Sequence, residues 1–119
     1  MKNFSIHNYR VYAVTFIVLF AFLPVYGQPP VYTIIIKEHK FIPENLSVPA
    51  NQKIKLLIRN NDATPEEFES YDFNREKIVP GNSEITVFIG PLKPGVYHYF
   101  GEFHPDTAKG TITVKEGAP

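Results

Sequence analysis

The chain has 119 residues with twelve basic and twelve acidic side chains, so its formal net charge is zero at pH 7 with neutral histidine. Without a basic surplus we expect no nucleic-acid partner. Cysteine is absent and the one methionine is Met1, which excludes disulfides and, beyond Met1, every sulfur ligand to a metal.

The N-terminal segment has the pattern of a secretory signal peptide. Lys2 and Arg10 precede an acid-free apolar run that Pro24 interrupts, and this run is shorter than the roughly 20 residues of a membrane span. We predict that residues 1–27 are a signal peptide cleaved after Gly27, although a retained membrane anchor is the alternative. The remaining residues, 28–119, would form a single domain without a membrane span, located in the periplasm or secreted.

Short segments rich in Val, Ile, Thr and Tyr follow, separated by turns with Pro, Gly and Asn, which is typical of β-strands. Ile54, Leu56 and Ile58 alternate with Lys53, Lys55 and Arg59 in 52–60, which predicts one buried and one exposed face. The predicted strands are VYTIIIK at 31–37, LSV at 46–48, QKIKLLIRN at 52–60, SEITVFI at 83–89, PGVYHY at 94–99 and GTITVK at 110–115. We predict an all-β, two-sheet Greek-key sandwich of about seven strands. Residues 71–79 have no clear pattern.

The strand entry PGVYHY predicts that Tyr97 and Tyr99 point inward and His98 outward. It resembles the corner of a sandwich at which a tyrosine hydroxyl ties a loop back to the fold. Tyr97 is therefore expected to be architectural.

Three glutamates fall within the segment PEEFES at 65–70. Alternation predicts that Glu66 points inward and the other two glutamates point to solvent. Clustered carboxylates repel one another, so they raise their pKa values or require a cation. The cation is either a metal ion or a basic side chain, and we expect Glu69 to pair with Arg75 or Lys77.

Residues 97–110, YHYFGEFHPDTAKG, resemble the metal-binding loop of the cupredoxin family, which has the plastocyanin-type fold. In that family a tyrosine-led strand reaches a ligand cysteine, and ligand histidine and methionine residues follow. The resemblance puts His104 in the histidine position, but Gly101 and Ala108 in the two sulfur positions. The family's other ligand histidine corresponds to Glu66, so the resemblance implies a changed site.

The resemblance also implies where the ligands of this changed site lie. Residues 41–43 and 46–50 resemble the family's second strand, which brings His39 to the end of the sandwich that holds His104. The predicted metal ligands of one mononuclear site are Glu66, His104, Glu102, His39 and Glu67. Oxygen and imidazole donors suit copper(II), iron, zinc or manganese rather than copper(I), so blue-copper electron transfer is excluded on ligand grounds.

A more specific resemblance concerns PEEFES, REK at 75–77, GPLKPG at 90–95 and GEFH at 101–104. Together they resemble the exported cupredoxin-like proteins that accompany bacterial ferrous-iron permeases. This implies an accessory protein that binds iron or copper(II), assists ferrous-iron oxidation or uptake, and has an inner-membrane iron permease or an associated redox protein as its partner. Enzymatic activity stays open because one mononuclear site supplies no electron acceptor. The alternatives are a metal-free docking module and a non-redox copper(II) or zinc carrier.

Overall fold

The computed structural model describes residues 1–3, 5, 10–19 and 27–118. Nine strands lie in this part of the chain: β1 Val31–Lys37, β2 Lys40–Ile42, β3 Asn45–Pro49, β4 Ile54–Asn60, β5 Glu66–Ser70, β6 Arg75–Val79, β7 Ser83–Ile89, β8 Gly95–Gly101 and β9 Lys109–Lys115. The apolar run of the predicted signal peptide lies partly outside the described residues, at 20–26, so the signal peptide and its cleavage stay predictions. Within the ranges given above, no helix has the length and apolar character needed to cross a membrane.

The strands form two mixed sheets, in the orders β2-β1-β4-β7 and β3-β9-β8-β5-β6. In each sheet one pair is parallel, β1 with β4 and β3 with β9, and the other pairs are antiparallel. The predicted all-β, two-sheet sandwich is therefore confirmed.

The core lies where the alternating pattern predicts it. Ile54, Leu56 and Ile58 of β4 are buried, as are the apolar residues at alternate positions of β1 and β9. The ring of Tyr99 lies 5.2 Å from that of Phe68 between centroids. Burying one such side chain contributes about 1.5–3 kcal/mol, so the alternation itself accounts for much of the attraction between the sheets.

The tyrosine corner is also present. The Tyr97 hydroxyl donates to the carbonyl oxygen of Lys93 at 2.8 Å. Tyr97 is half-buried, Tyr99 is buried and His98 is exposed, which confirms the predicted alternation along β8.

Strand β6 occupies much of the segment that the sequence left unassigned. Its register with β5 puts Glu76 directly opposite Glu69. The predicted salt bridge from Glu69 to a basic residue of this strand is wrong, since Arg75 Nε donates to the carbonyl of Phe88 at 2.8 Å and Lys77 Nζ to that of Thr86 at 2.9 Å. Both cations alternate with Glu76 along β6, so they project from its other face and reach strand β7 instead.

Candidate metal centre

Glu66 is the first residue of β5 and is buried, with only 1% of the residue exposed. Its Oε1 accepts hydrogen bonds from the backbone N–H groups of Glu67 and Phe103, both at 2.9 Å. Its Oε2 lies 2.7 Å from Nδ1 of His104. Buried polar groups need such partners. One donor from β5 and two from the loop between β8 and β9 hold this carboxylate in place.

Glu66 fills the space beside Gly101. A Cβ atom on Gly101 would lie 2.5 Å from Cδ of Glu66 and 2.7 Å from Cβ of Ala108. The resemblance to cupredoxins assigns a sulfur ligand to position 101, yet the space that its side chain would need is occupied by a carboxylate. The residues present therefore do not fit a blue-copper centre: the chain has no cysteine, and the Glu66 carboxylate fills the space that a cysteine at position 101 would need.

His39 reaches the same place through a tight turn. Glu38 and His39 connect β1 to β2 with positive φ angles of 52° and 57°, a conformation that costs an ordinary residue roughly 1–3 kcal/mol. Asp62 stabilises it, because its carboxylate accepts both backbone N–H groups, at 2.8 and 2.9 Å. Burial acts to raise the pKa of Asp62, but the N–H groups of His39 and Glu38 outweigh this and lower that pKa below its usual value.

The imidazole of His39 stacks on that of His104, with 3.5 Å between ring centroids and 13° between ring planes. One ligand atom each from His39, Glu66 and His104 lies within 4.8 Å of the others, and we call these three residues the His–Glu site. The 2.7 Å from Glu66 to His104 is a hydrogen-bond distance, since ligands on one tetrahedral ion stand about 3.3 Å apart. To bind an ion between them, the Glu66 carboxylate and the His104 imidazole would have to move slightly apart and release the proton that they share.

Glu67 and Glu102, the other two predicted ligands, do not join the His–Glu site. They lie with Glu69 and Glu76 on the outer side of the second sheet, where one carboxylate oxygen of each residue is within 4.8 Å of the others. We call these four residues the outer acidic cluster. The single predicted site is thus divided in two, because consecutive residues of a strand point to opposite faces and Glu66 already faces inward.

The carboxylates of the outer acidic cluster perturb one another. A hydrogen bond with Glu76, then burial, then the charge of Glu102 raise the pKa of Glu67 from 4.5 to about 7. A hydrogen bond with Glu102, then burial, then the charges of Glu102 and Glu76 raise the pKa of Glu69 from 4.5 to about 7. Each of these carboxyl–carboxyl hydrogen bonds needs a proton on one partner.

Glu69 is not solvent-facing, and that prediction is wrong. The residue is only 7% exposed. Phe100 of β8 is its direct neighbour in register, and the Tyr71 ring packs against Phe100 at 5.4 Å between centroids. Two aromatic side chains therefore flank a glutamate on the outer face of the sheet.

Two residues were missed by sequence reasoning. Glu76 appeared only within the REK segment and was not considered as a ligand, because its strand had no recognisable pattern. A glutamate on a strand that pairs antiparallel with PEEFES would have been a signal. Asp62 was not singled out either. An aspartate in a turn-rich segment that follows a strand commonly accepts backbone N–H groups, which is the role that it has here.

The fold and site can be compared with known proteins. A family model for a cupredoxin-like domain matches residues 10–114. The chain belongs to the cupredoxin-like family. This cupredoxin-like chain is 53% identical over 83 residues to an uncharacterised protein of Rickettsia prowazekii (strain Madrid E), a match that covers 70% of this chain and 66% of the relative, just under two thirds of its length.

Solved structures share the cupredoxin-like fold. Auracyanin A of Chloroflexus aurantiacus, a "blue" copper protein, is 17% identical with a TM-score of 0.63, covering 74% of this chain and 100% of that one. A purple cupredoxin of Nitrosopumilus maritimus is 24% identical with a TM-score of 0.53, covering 70% and 98%. Amicyanin of Paracoccus versutus is 17% identical with a TM-score of 0.56, covering 76% and 85%. At these identities the likeness extends to the fold alone.

Proposed function

We propose that this cupredoxin-like chain is an exported metal-binding protein, periplasmic or secreted, that holds one iron or copper(II) ion at the His–Glu site. The observation that carries the proposal is the buried Glu66 carboxylate 2.7 Å from the imidazole of His104. His39, stacked on His104, supplies a third donor. Its partly exposed ring leaves the site open to solvent on one side, since the His39 side chain is 41% exposed.

The donor set favours iron. Two histidines and one carboxylate are the ligand composition of non-haem iron(II) sites, which keep open positions for other ligands. Copper(II) accepts the same nitrogen and oxygen donors, whereas copper(I) prefers sulfur. The site therefore supports binding of a metal ion that needs no sulfur ligand.

We assign the bound ion to ferrous-iron oxidation or uptake alongside an inner-membrane iron permease or an associated redox protein. The support is the resemblance of PEEFES, GPLKPG and GEFH to exported proteins of that kind. Oxidation would pass one electron from iron(II) to an acceptor that the chain must meet in a partner. A binding and delivery role requires no acceptor and is the simpler form of the proposal.

A metal-free docking module is the second candidate, and one observation favours it. Both Glu66 oxygens already have hydrogen-bond donors within the chain. For a carboxylate satisfied in this way, fixing the 101–108 loop is a sufficient role. The outer acidic cluster is then free to contact a partner.

Metal titration separates the two candidates. The purified, chelator-treated protein is titrated with iron(II) under anaerobic conditions, and separately with copper(II) and zinc, beside Glu66→Gln and the control Glu116→Gln. The control substitution keeps a side-chain oxygen at position 116, where the Asn51 amide now donates to the Glu116 carboxylate. We expect Glu66→Gln to lose one bound ion or at least tenfold in affinity, about 1.4 kcal/mol.

Spectra of the copper(II) complex give an independent check. Nitrogen and oxygen ligation predicts a pale complex, and an intense thiolate-to-copper band would contradict the assigned ligands. If Glu66→Gln binds all three metals as well as Glu116→Gln does, the His–Glu site is not a metal site and the docking module is supported.

A further inference from the structure

The outer acidic cluster combines glutamates from three neighbouring parts of the second sheet. Glu67 and Glu69 come from β5, Glu76 from β6, and Glu102 follows the last residue of β8. Register places Glu69 directly opposite Glu76, and like charges that face each other across a strand pair destabilise a sheet. A proton shared within each carboxyl pair relieves this repulsion, and once the pairs are ionised a cation is needed to offset it.

One oxygen of the cluster has no hydrogen-bond partner. Oε2 of Glu69 is buried without a hydrogen bond, in a residue that is only 7% exposed. Leaving a buried polar atom unsatisfied is destabilising, and more so when the group is charged. This oxygen belongs to one of the four residues whose ligand atoms converge within 4.8 Å, so the other carboxylates lie close to it.

The chain does not provide the missing positive charge among its described residues. The salt bridges of that part of the chain involve Asp62, Asp72, Glu66 and Glu84, and none of them includes a member of the outer acidic cluster. Arg75 and Lys77 donate to carbonyl groups of β7 instead. A cation from solution would both neutralise the cluster and give Oε2 of Glu69 a partner.

The donor chemistry selects the class of cation. The cluster offers carboxylate oxygens only, and such sites suit hard ions such as Ca²⁺, Mg²⁺ and Mn²⁺. Oxygen ligands on opposite sides of a calcium ion stand about 4.6–5.2 Å apart, so the observed spread accommodates an ion of this size. The two imidazoles of the His–Glu site instead suit iron, copper(II) and zinc.

We propose that the outer acidic cluster is a second cation site, which binds a hard divalent ion through Glu67, Glu69, Glu76 and Glu102. The two sites lie on opposite faces of β5, and the segment after β8 supports both: Phe103 N–H donates to Glu66, and Glu102 N–H donates to the carbonyl of Glu67 at 2.9 Å. An ion in the outer acidic cluster therefore also fixes the backbone that carries the His–Glu site.

The test uses Mn²⁺ as the probe and Ca²⁺ as the competitor. Binding of Mn²⁺ is measured by the electron paramagnetic resonance signal of the ion that remains free. The parent protein carries His39→Gln and His104→Gln, which removes both imidazoles from the His–Glu site. We expect this parent to bind one Mn²⁺ that Ca²⁺ displaces. Adding Glu69→Gln or Glu76→Gln should weaken binding at least tenfold, whereas adding Glu116→Gln should not.

The same glutamine substitutions are made in the protein with both histidines, so that the result does not depend on the folding of the histidine variant. There, Glu69→Gln should lose the Mn²⁺ that Ca²⁺ displaces and keep the ion that Glu66→Gln loses. If Glu69→Gln and Glu76→Gln bind Mn²⁺ as tightly as Glu116→Gln in both backgrounds, or if neither background binds it, the second site is refuted. That result would leave the His–Glu site untouched, and failure at Glu66 would leave the second site untouched.

Discussion

Replacing Gly101 with alanine tests whether the Glu66 carboxylate fills the space beside Gly101. The added Cβ would lie 2.5 Å from Cδ of Glu66 and 2.7 Å from Cβ of Ala108, about 1 Å inside ordinary contact at 3.4–4 Å. Gly101 has no positive φ angle, so alanine introduces no backbone strain. Any loss of stability must therefore come from the overlap.

The expected loss can be estimated from the contacts. Overpacking a core position costs about 1–3 kcal/mol, and a Glu66 side chain that turns away leaves buried N–H donors unsatisfied for a further 1–3 kcal/mol or so. Alanine also reduces the entropy of the unfolded chain, which returns about 0.4–1 kcal/mol. We expect a net loss of about 1–5 kcal/mol in the free energy of unfolding, with a middle value of about 3 kcal/mol.

Urea denaturation of the chelator-treated protein measures this loss. With an m-value of about 1.5 kcal/mol per molar urea, a loss of about 3 kcal/mol lowers the midpoint by about 2 M. Gly95→Ala is the matched control on the same strand, since its Cβ would meet the Tyr97 ring at an ordinary 3.6 Å, and it should cause no loss. Because Glu66→Ala removes the overlap with the carboxylate and leaves only the contact with Cβ of Ala108 at 2.7 Å, Gly101→Ala should cost less in that background. An equal cost in both backgrounds would refute the overlap between the two side chains.

Three further predictions follow from the same structure. The raised pKa values of Glu67 and Glu69, about 7 against 4.5, mean that the stabilising contribution of these two groups is fully present below about pH 4.5 in the chelator-treated protein and is lost as the pH rises through about 7. Urea midpoints from pH 4 to 8 should show this fall, Glu69→Gln should reduce it, and a flat or rising profile would contradict it. Asp62→Ala should cost about 1–3 kcal/mol and weaken metal binding by releasing the His39 turn; calorimetry measures both effects, and Asp62→Asn, which keeps one acceptor oxygen, should lose less. Tyr97→Phe removes one hydrogen bond and should cost about 1 kcal/mol in thermal unfolding, and an unchanged melting temperature would show that the corner is not stabilising.

Much of the fold was predictable because one face of each long strand is buried. The alternation of Ile54, Leu56 and Ile58 with charged residues indicated strand β4 and its inward side, and β7 and β9 were recognised in the same way. Strand β6 has a single buried residue, Val79. A strand with four exposed positions out of five carries no hydrophobic period to recognise, and its pairing with β5 had to come from the structure.

The candidate site was predictable only where strand alternation determines which way a side chain points. Alternation along PEEFES correctly turned Glu66 inward, but it could not show that Glu69 would be covered by Phe100, a residue from a much later strand that the register of β5 with β8 supplies. Glu102 was expected beside Glu66 because the resemblance to cupredoxins brings the loop with Glu102 and His104 next to Glu66. Which way a residue points just after a strand depends on the turn geometry, and the sequence does not specify it.

The contact between Glu66 and Gly101 has a consequence for engineering a sulfur-ligated copper centre into this fold. Cysteine at position 101 collides with the carboxylate, while removing the carboxylate first leaves three donors without a partner. Each single exchange is disfavoured on its own, and even with both made the Cβ at position 101 would lie 2.7 Å from Cβ of Ala108. Conversion between the two kinds of centre therefore passes through a less stable intermediate, and a library that varies one position at a time will not find the route.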